Sequence, residues 1–275
     1  MRNVRSLAVT ALSTTLMGTM MITALAGCAT SPTGRSQLLL MSDDELNQMG
    51  DKAFDQYQQE LPAADENSQR YVQCVARSIV NELPAEQRRQ SWEVEVFKAD
   101  EPNAFALPGG YIGVNSGMLD VADNPAQLAT VLGHEVGHVL ANHANERAST
   151  ESATQLGLSA LSSAAGVESA GGEQLMGLLG MGAQYGILLP FSRRHESEAD
   201  RIGLQLMAGA GFDPRESVNL WQNMQRAGGG GPPEWMSTHP SEGHRISGLQ
   251  ADMPRALDAY ENARNRGHTP DCPRP

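Results

Sequence analysis

The residues best suited to chemistry stand together at His134-Glu135-Val136-Gly137-His138. Helix positions i and i+4 share a face, so the two imidazoles can bind one metal ion. Glu135 is rotated from the pair and can reach a water on the open side of that ion. Imidazole suits Zn2+, and a catalytic site for this metal keeps one position for water. The pattern predicts one Zn2+ per chain and metal-assisted hydrolysis, with a third protein ligand still to be supplied.

Candidates for that ligand are His143, Glu146, His195, Glu196, Glu198 and His239. On a continuous helix His143 lies roughly 180° round from His134, and Glu146 is about 12 Å along the axis from His138. Neither closes a tetrahedron with both His, so the ligand comes from another element. Glu196-Ser197-Glu198-Ala199-Asp200 is the natural one. Glu196 and Asp200 share a face, so the first can ligate while the second accepts a hydrogen bond from a ligand His. Glu198 points elsewhere and reads as a solvated helix charge.

The elements that must position these groups are legible in outline. Asn124-Pro125 pairs a good N-cap with a good first helical residue, and Leu128, Val131, Leu132, Val136 and Val139 supply the buried side. This helix is expected to run past His143 towards Ser149. Ser42-Asp43-Asp44-Glu45 opens a helix to about Gln59, and a second spans about Asn67 to Leu83. Trp92 to Val96 alternates like a strand, and Asn103–Leu107 and Tyr111–Asn115 flank Pro108-Gly109-Gly110 as a hairpin. Either Phe105 or Tyr111 would stand on an edge strand able to pair with an extended substrate. Residues 151–189 read as a helical hairpin of small residues, Glu196 to about Ala208 as a helix, and Asp213-Pro214 opens another to about Arg226. Gly228 to Pro233 is a breaker-rich loop, and the tail from 265 to 275 is expected to be loose. The fold class is α+β: a mainly helical domain over residues 42–264, built around the HExxH helix, with a small mixed sheet.

The HExxH and Glu-x-x-x-Asp motifs together resemble the gluzincin metallopeptidases of the HtpX and type-I CAAX prenyl protease group. Asn103-Ala104-Phe105-Ala106 with Pro108-Gly109-Gly110, Ser192-Arg193, and Thr238-His239-Pro240 with Arg245-Ile246 resemble the periplasmic BepA/LoiP type. The resemblance implies that His134, His138 and Glu196 are zinc ligands and that Glu135 is the catalytic glutamate. His239 and Arg245 are the candidates for a second donor to the oxyanion. His239, beyond the breaker-rich loop, can alternatively occupy the fourth position and silence the site. No multi-pass membrane segments like those of HtpX are apparent, which argues against a prenyl-peptide substrate.

Two features point to an address. Arg2 and Arg5 precede an uncharged stretch from Leu7 to Ala26, as in a secretory signal spanning 1–27. Leu25-Ala26-Gly27-Cys28 resembles the bacterial lipobox, which implies a lipidated Cys28, a polar tether over 28–41 and a periplasm-facing place in the envelope, with the outer membrane favoured. Cys74 and Cys272 are then the remaining thiols, able to pair in that oxidising compartment or to stay separate.

The 275 residues are 40% apolar, which argues against wholesale disorder, and the net charge of −12 argues against nucleic-acid binding. The expected activity is zinc-dependent endopeptidase cleavage of misfolded or unassembled envelope proteins. The alternative is a zinc-containing chaperone or assembly factor with little proteolysis.

Overall fold

The computed structural model describes residues 28–165, 189–227, 239 and 245–275. The signal-like segment, most of the expected helical hairpin and the Gly228–Pro233 loop lie outside them. Two strands, β1 (Cys28–Thr30) and β2 (Ser36–Leu38), are followed by helices α1 (Asp43–Glu60), α2 (Glu66–Asn81) and α3 (Ala85–Arg89). Next come β3 (Glu93–Phe97), β4 (Ala104–Leu107), β5 (Tyr111–Asn115) and the short α4 (Met118–Val121). The helices α5 (Pro125–Leu140), α6 (His143–Ala165), α7 (Leu189–Gly209), α8 (Glu216–Ala227) and α9 (Arg245–Asn265) complete the described chain.

Strand order is β3-β5-β4, with β5 parallel to β3 and antiparallel to β4. The turn at Gly109 and Gly110 needs φ of 94° and 92°, a region open to glycine. Among the described residues β5 is internal and β4 is an edge, so the edge position falls to Phe105 and not to Tyr111. Alternation divides β5 between two faces. Tyr111 stacks on Phe54 of α1, with ring centroids 4.9 Å apart. Ile112 and Val114 point into the main core with Val72, Val75 and Ile79 of α2 and Leu128, Leu132 and Val136 of α5.

Both chain ends depart from expectation. The segment read as a tether folds into the β1–β2 hairpin, and Ser31 and Gln37 are buried. It docks because its polar groups meet buried partners. The Gln37 amide donates to Glu146 at 2.7 Å, and the Leu40 amide donates to Ser149 at 2.8 Å. The tail is not loose either. Cys272 is buried and disulfide-bonded to Cys74 of α2, and the Arg274 guanidinium donates to the carbonyls of Leu119 and Asp123 at 2.6 and 2.9 Å.

The helix expected to run past His143 stops at Leu140. Asn142 adopts φ 53°, a left-handed conformation that Asn tolerates better than most residues. The chain turns there and restarts as α6. The geometric exclusion of His143 and Glu146 rested on a straight helix. The bend makes them neighbours of the site.

Candidate metal centre and active site

α5 begins where its caps place it, with the Asn124 side chain accepting from the Gln127 amide at 3.0 Å and Pro125 in the first turn. It is buried almost throughout and presents His134, Glu135 and His138 towards α7. The two helices approach backbone to backbone. A Cβ on Gly137 would lie 2.9 Å from the Ala199 carbonyl oxygen, and one on Gly203 would lie 2.6 Å from the His134 nitrogen. Gly133 and Gly137 on α5 thus face Ala199 and Gly203 on α7, and this contact brings Glu196 and Asp200 to the imidazoles. The two four-residue spacings of small residues, Gly133/Gly137 and Ala199/Gly203, are the sequence signal of this contact.

One ligating atom each from His134, His138, Glu196 and His239 lies within 4.8 Å of all the others. Nε2 of His138 is 3.0 Å from Nε2 of His134, which is 3.3 Å from Nδ1 of His239. The Glu196 carboxylate lies 3.3 Å from His134 Nε2 and 3.1 Å from His239 Nδ1. On the far side of its ring, His134 Nδ1 is 3.0 Å from Asp200 Oδ1 and 2.7 Å from Arg245 Nη2. His138 Nδ1 is 2.8 Å from His143 Nδ1. The two Nε2 atoms thus face one another and the Glu196 carboxylate across a small gap. Such an acceptor cluster is stabilised by a cation at its centre, and three imidazole nitrogens with one carboxylate suit a borderline divalent metal.

The two α5 imidazoles differ in their electrostatics. Burial and the neighbouring His134 push the His138 imidazole well below its ordinary range, leaving a neutral ligand. Burial and Arg245 also oppose charge on His134, but Asp200 and Glu196 outweigh them and raise it. Burial favours a protonated Glu196, yet hydrogen bonds from His134 and His239 hold it far down as a carboxylate.

Glu135 is buried beside a cavity of about 400 Å³ that Ala106 of β4, His138, Glu196 and His239 also line. His239 Nε2 stands 3.5 Å from a Glu135 oxygen. His239 is therefore a member of the donor cluster. Arg245 does not line the cavity. Its guanidinium stacks 4.0 Å over the Trp221 ring and donates to Asp200 at 2.6 to 2.8 Å, so it braces the carboxylate that holds His134. Its Nη2 also lies 3.0 Å from His134 Nε2, so Arg245 reaches the donor cluster from behind.

Glu198 is not a solvated charge. It is buried, and it accepts from Arg35 Nε at 2.9 Å and from the hydroxyls of Ser31 and Thr33. His143 Nε2 lies 3.2 Å from the same carboxylate. Arg35 also forks onto Glu146, which His195 contacts at 3.1 Å.

An α5 His pair facing a glutamate of α7, beside a sheet edge, defines the class of a zincin-like metallopeptidase domain. The chain belongs to peptidase family M48, whose family model matches residues 66–252. It is 34% identical over 246 residues to the mitochondrial metalloendopeptidase OMA1 of Bos taurus, covering 83% of this chain and 46% of that protein. It is 40% identical over 167 residues to the mitochondrial metalloendopeptidase OMA1 of Schizosaccharomyces pombe, covering 60% and 48%. It is 32% identical over 222 residues to the beta-barrel assembly-enhancing protease of Yersinia pestis, covering 78% and 45%. The chain spans about half the length of these relatives. Mitochondrial and bacterial relatives match at similar identity, so the resemblance extends to the family and does not single out the BepA/LoiP type.

Proposed function

We propose that this chain is a zinc metalloendopeptidase, lipid-anchored at Cys28 in the bacterial envelope, that cleaves misfolded or unassembled envelope proteins. The observation that carries the reading is the convergence of His134, His138 and Glu196 with Glu135 at the cavity wall. Zinc held there supplies Lewis acidity, which lowers the pKa of a bound water and polarises a scissile carbonyl. Glu135 takes the water proton and hands it to the leaving amine. The β4 edge, whose Ala106 lines the cavity, holds an extended substrate by main-chain hydrogen bonds and so favours unfolded chains. Asp200, braced by Arg245, keeps His134 Nε2 turned to the cluster.

The envelope assignment rests on the residues around Cys28, and the Yersinia relative is named for β-barrel assembly. The OMA1 relatives are named mitochondrial and give it no support. Among the described residues no helix is long and apolar enough to cross a membrane.

His239 favours attention to the second reading, a zinc-containing assembly factor. A fourth donor closes the position a water would need, and a closed four-ligand site is structural. In the first reading the described arrangement is a silent one from which His239 withdraws. Cleavage of unfolded casein by the full chain, with and without a chelator, tests the function. Chelator-sensitive cleavage is expected. Zinc binding without cleavage, in wild type and His239→Ala alike, would establish the second reading.

A further inference from the structure

His138 differs from His134 in what stands behind it. His134 has the direct carboxylate partner usual for a metal-ligating imidazole, whereas His138 Nδ1 meets another imidazole, His143, at 2.8 Å. His143 Nε2 in turn lies 3.2 Å from Glu198 Oε2, and that oxygen accepts from Arg35 Nε and Nη2 at 2.9 and 2.7 Å. We propose that Arg35, on the hairpin between Cys28 and Leu38, is a positioning residue that holds His138 in its ligating orientation through Glu198 and His143.

Hydrogen-bond direction runs consistently along the chain of contacts. A carboxylate paired with guanidinium is acceptor only, so His143 must donate from Nε2. A neutral His143 then carries its lone pair on Nδ1 and accepts from His138 Nδ1–H. His138 is left with its lone pair on Nε2, the atom that faces His134 and Glu196. The site thus has two parallel braces, Arg245–Asp200–His134 and Arg35–Glu198–His143–His138. The first comes entirely from the catalytic body. The second ends on the N-terminal hairpin.

Arg35 is suited to this by geometry as well as charge. Its fork spans two buried carboxylates, with Nη2 2.6 Å from Glu146 and 2.7 Å from Glu198. It is anchored by the hairpin, where the Ser31 and Thr33 hydroxyls share Glu198 and the Gln37 amide shares Glu146. His143 and His195 stack between the carboxylates with ring centroids 4.1 Å apart, which fixes the plane of the His143 ring. The bend at Asn142 delivers His143 to His138. Lysine could replace the charge but not the fork.

The inference rests on the zinc-site reading above, and the test separates the two. Zinc affinity of the full chain is measured by chelator competition, and Co2+ loaded in place of zinc reports ligand geometry by its visible absorption. Wild type, Arg35→Ala, Arg35→Lys, His143→Ala and the Arg35→Ala/His143→Ala double variant are compared, with thermal melting as the check on folding. Loss of an outer partner of a ligand His typically weakens metal affinity about 10- to 100-fold, and Arg35→Ala and His143→Ala are each expected in that range. The double variant is expected to lose no more than the worse single one, because both act on one chain of contacts. Arg35→Lys is expected to fold and still bind zinc more weakly than wild type, with a shifted cobalt spectrum. Wild-type affinity and spectrum in Arg35→Lys, or losses that add in the double variant, would overturn the proposal while leaving the zinc site intact. A wild-type chain that binds no zinc would overturn the site reading itself, and the inference with it.

Discussion

Glu135 is the residue on which the proposed chemistry turns. It shares α5 with two donors of the metal cluster but is not one of them, and it borders the cavity. Replacing it with Gln keeps the shape and removes the base. Glu135→Gln is expected to lower turnover by at least the 10²–10⁴-fold typical of a lost general base, with zinc content and melting temperature near wild type. A variant that keeps a tenth of the activity would assign the base elsewhere. A second expectation comes from the groups behind the site. Burial pushes the His143 imidazole down from 6.5 to about 4. Burial favours a protonated Glu198, but the hydroxyls of Ser31 and Thr33, with Arg35 and His143, bring it down from 4.5 to about 2. Both folded values are depressed, so in that range the unfolded chain binds more protons and stability rises with pH. The His143 contribution is complete above pH 6.5 and is lost as pH falls through about 4, and that of Glu198 is lost between 4.5 and about 2. Melting temperature is expected to fall on acidification across this window, and less steeply in His143→Gln above pH 4. Parallel curves for the two proteins would remove His143 from the account.

At the scale of elements, the decisive contact is α5 against α7. Helix axes can come this close only where side chains are absent, and Gly133, Gly137, Ala199 and Gly203 provide that seam. The seam sets the distance from the α5 imidazoles to Glu196 and Asp200. Gly203→Ala would place a Cβ 2.6 Å from the His134 backbone nitrogen. Overpacking of this kind costs about 1–3 kcal/mol, and here the strain falls on the ligand helix. Denaturant unfolding should show that loss together with weaker zinc binding. Unchanged stability and affinity would mean that the seam has room the structure does not show. A position such as Gly157, where an added Cβ meets nothing within 4 Å, serves as the neutral control.

For the molecule as a whole, the two ends of the described chain are structural parts. The hairpin after Cys28 packs behind the metal cluster, and the tail is stapled to α2 by Cys74–Cys272 across a sequence separation of 198. Constraining so long a loop limits the unfolded chain, and loss of a native disulfide typically costs about 2–5 kcal/mol. The Cys74→Ser/Cys272→Ser variant is expected to unfold at correspondingly lower denaturant concentration. An unchanged midpoint would show that the packing of Cys272 and the hydrogen bonds of Arg274 alone secure the tail. If Cys28 carries the proposed anchor, the body sits against the bilayer without slack, because β1 begins at that residue. Cys28→Ser is then expected to move the protein from the membrane fraction to the soluble or unprocessed pool. Wild-type protein recovered free in the cytoplasm would refute the anchor.

Short-range patterns in the sequence carried much of this architecture. Asn124-Pro125 starts α5, Ser42 to Glu45 form the capping box of α1, and Pro108-Gly109-Gly110 turns β4 into β5. The same local periodicity puts His134 with His138 and Glu196 with Asp200. These features depend on residues within about two helical turns of each other, so chain-local energetics specify them. Local patterns were silent on the bend at Asn142, where a single left-handed residue overrides a helical periodicity and returns His143 to His138. They were equally silent on Arg35, whose carboxylate partners lie 111 and 163 residues away. A charged side chain reads as solvated until the path of the chain buries it, and its partner is then whichever opposite charge that path brings within reach. Tertiary structure alone therefore decided that a presumed tether and a presumed surface glutamate stand behind the metal ligands.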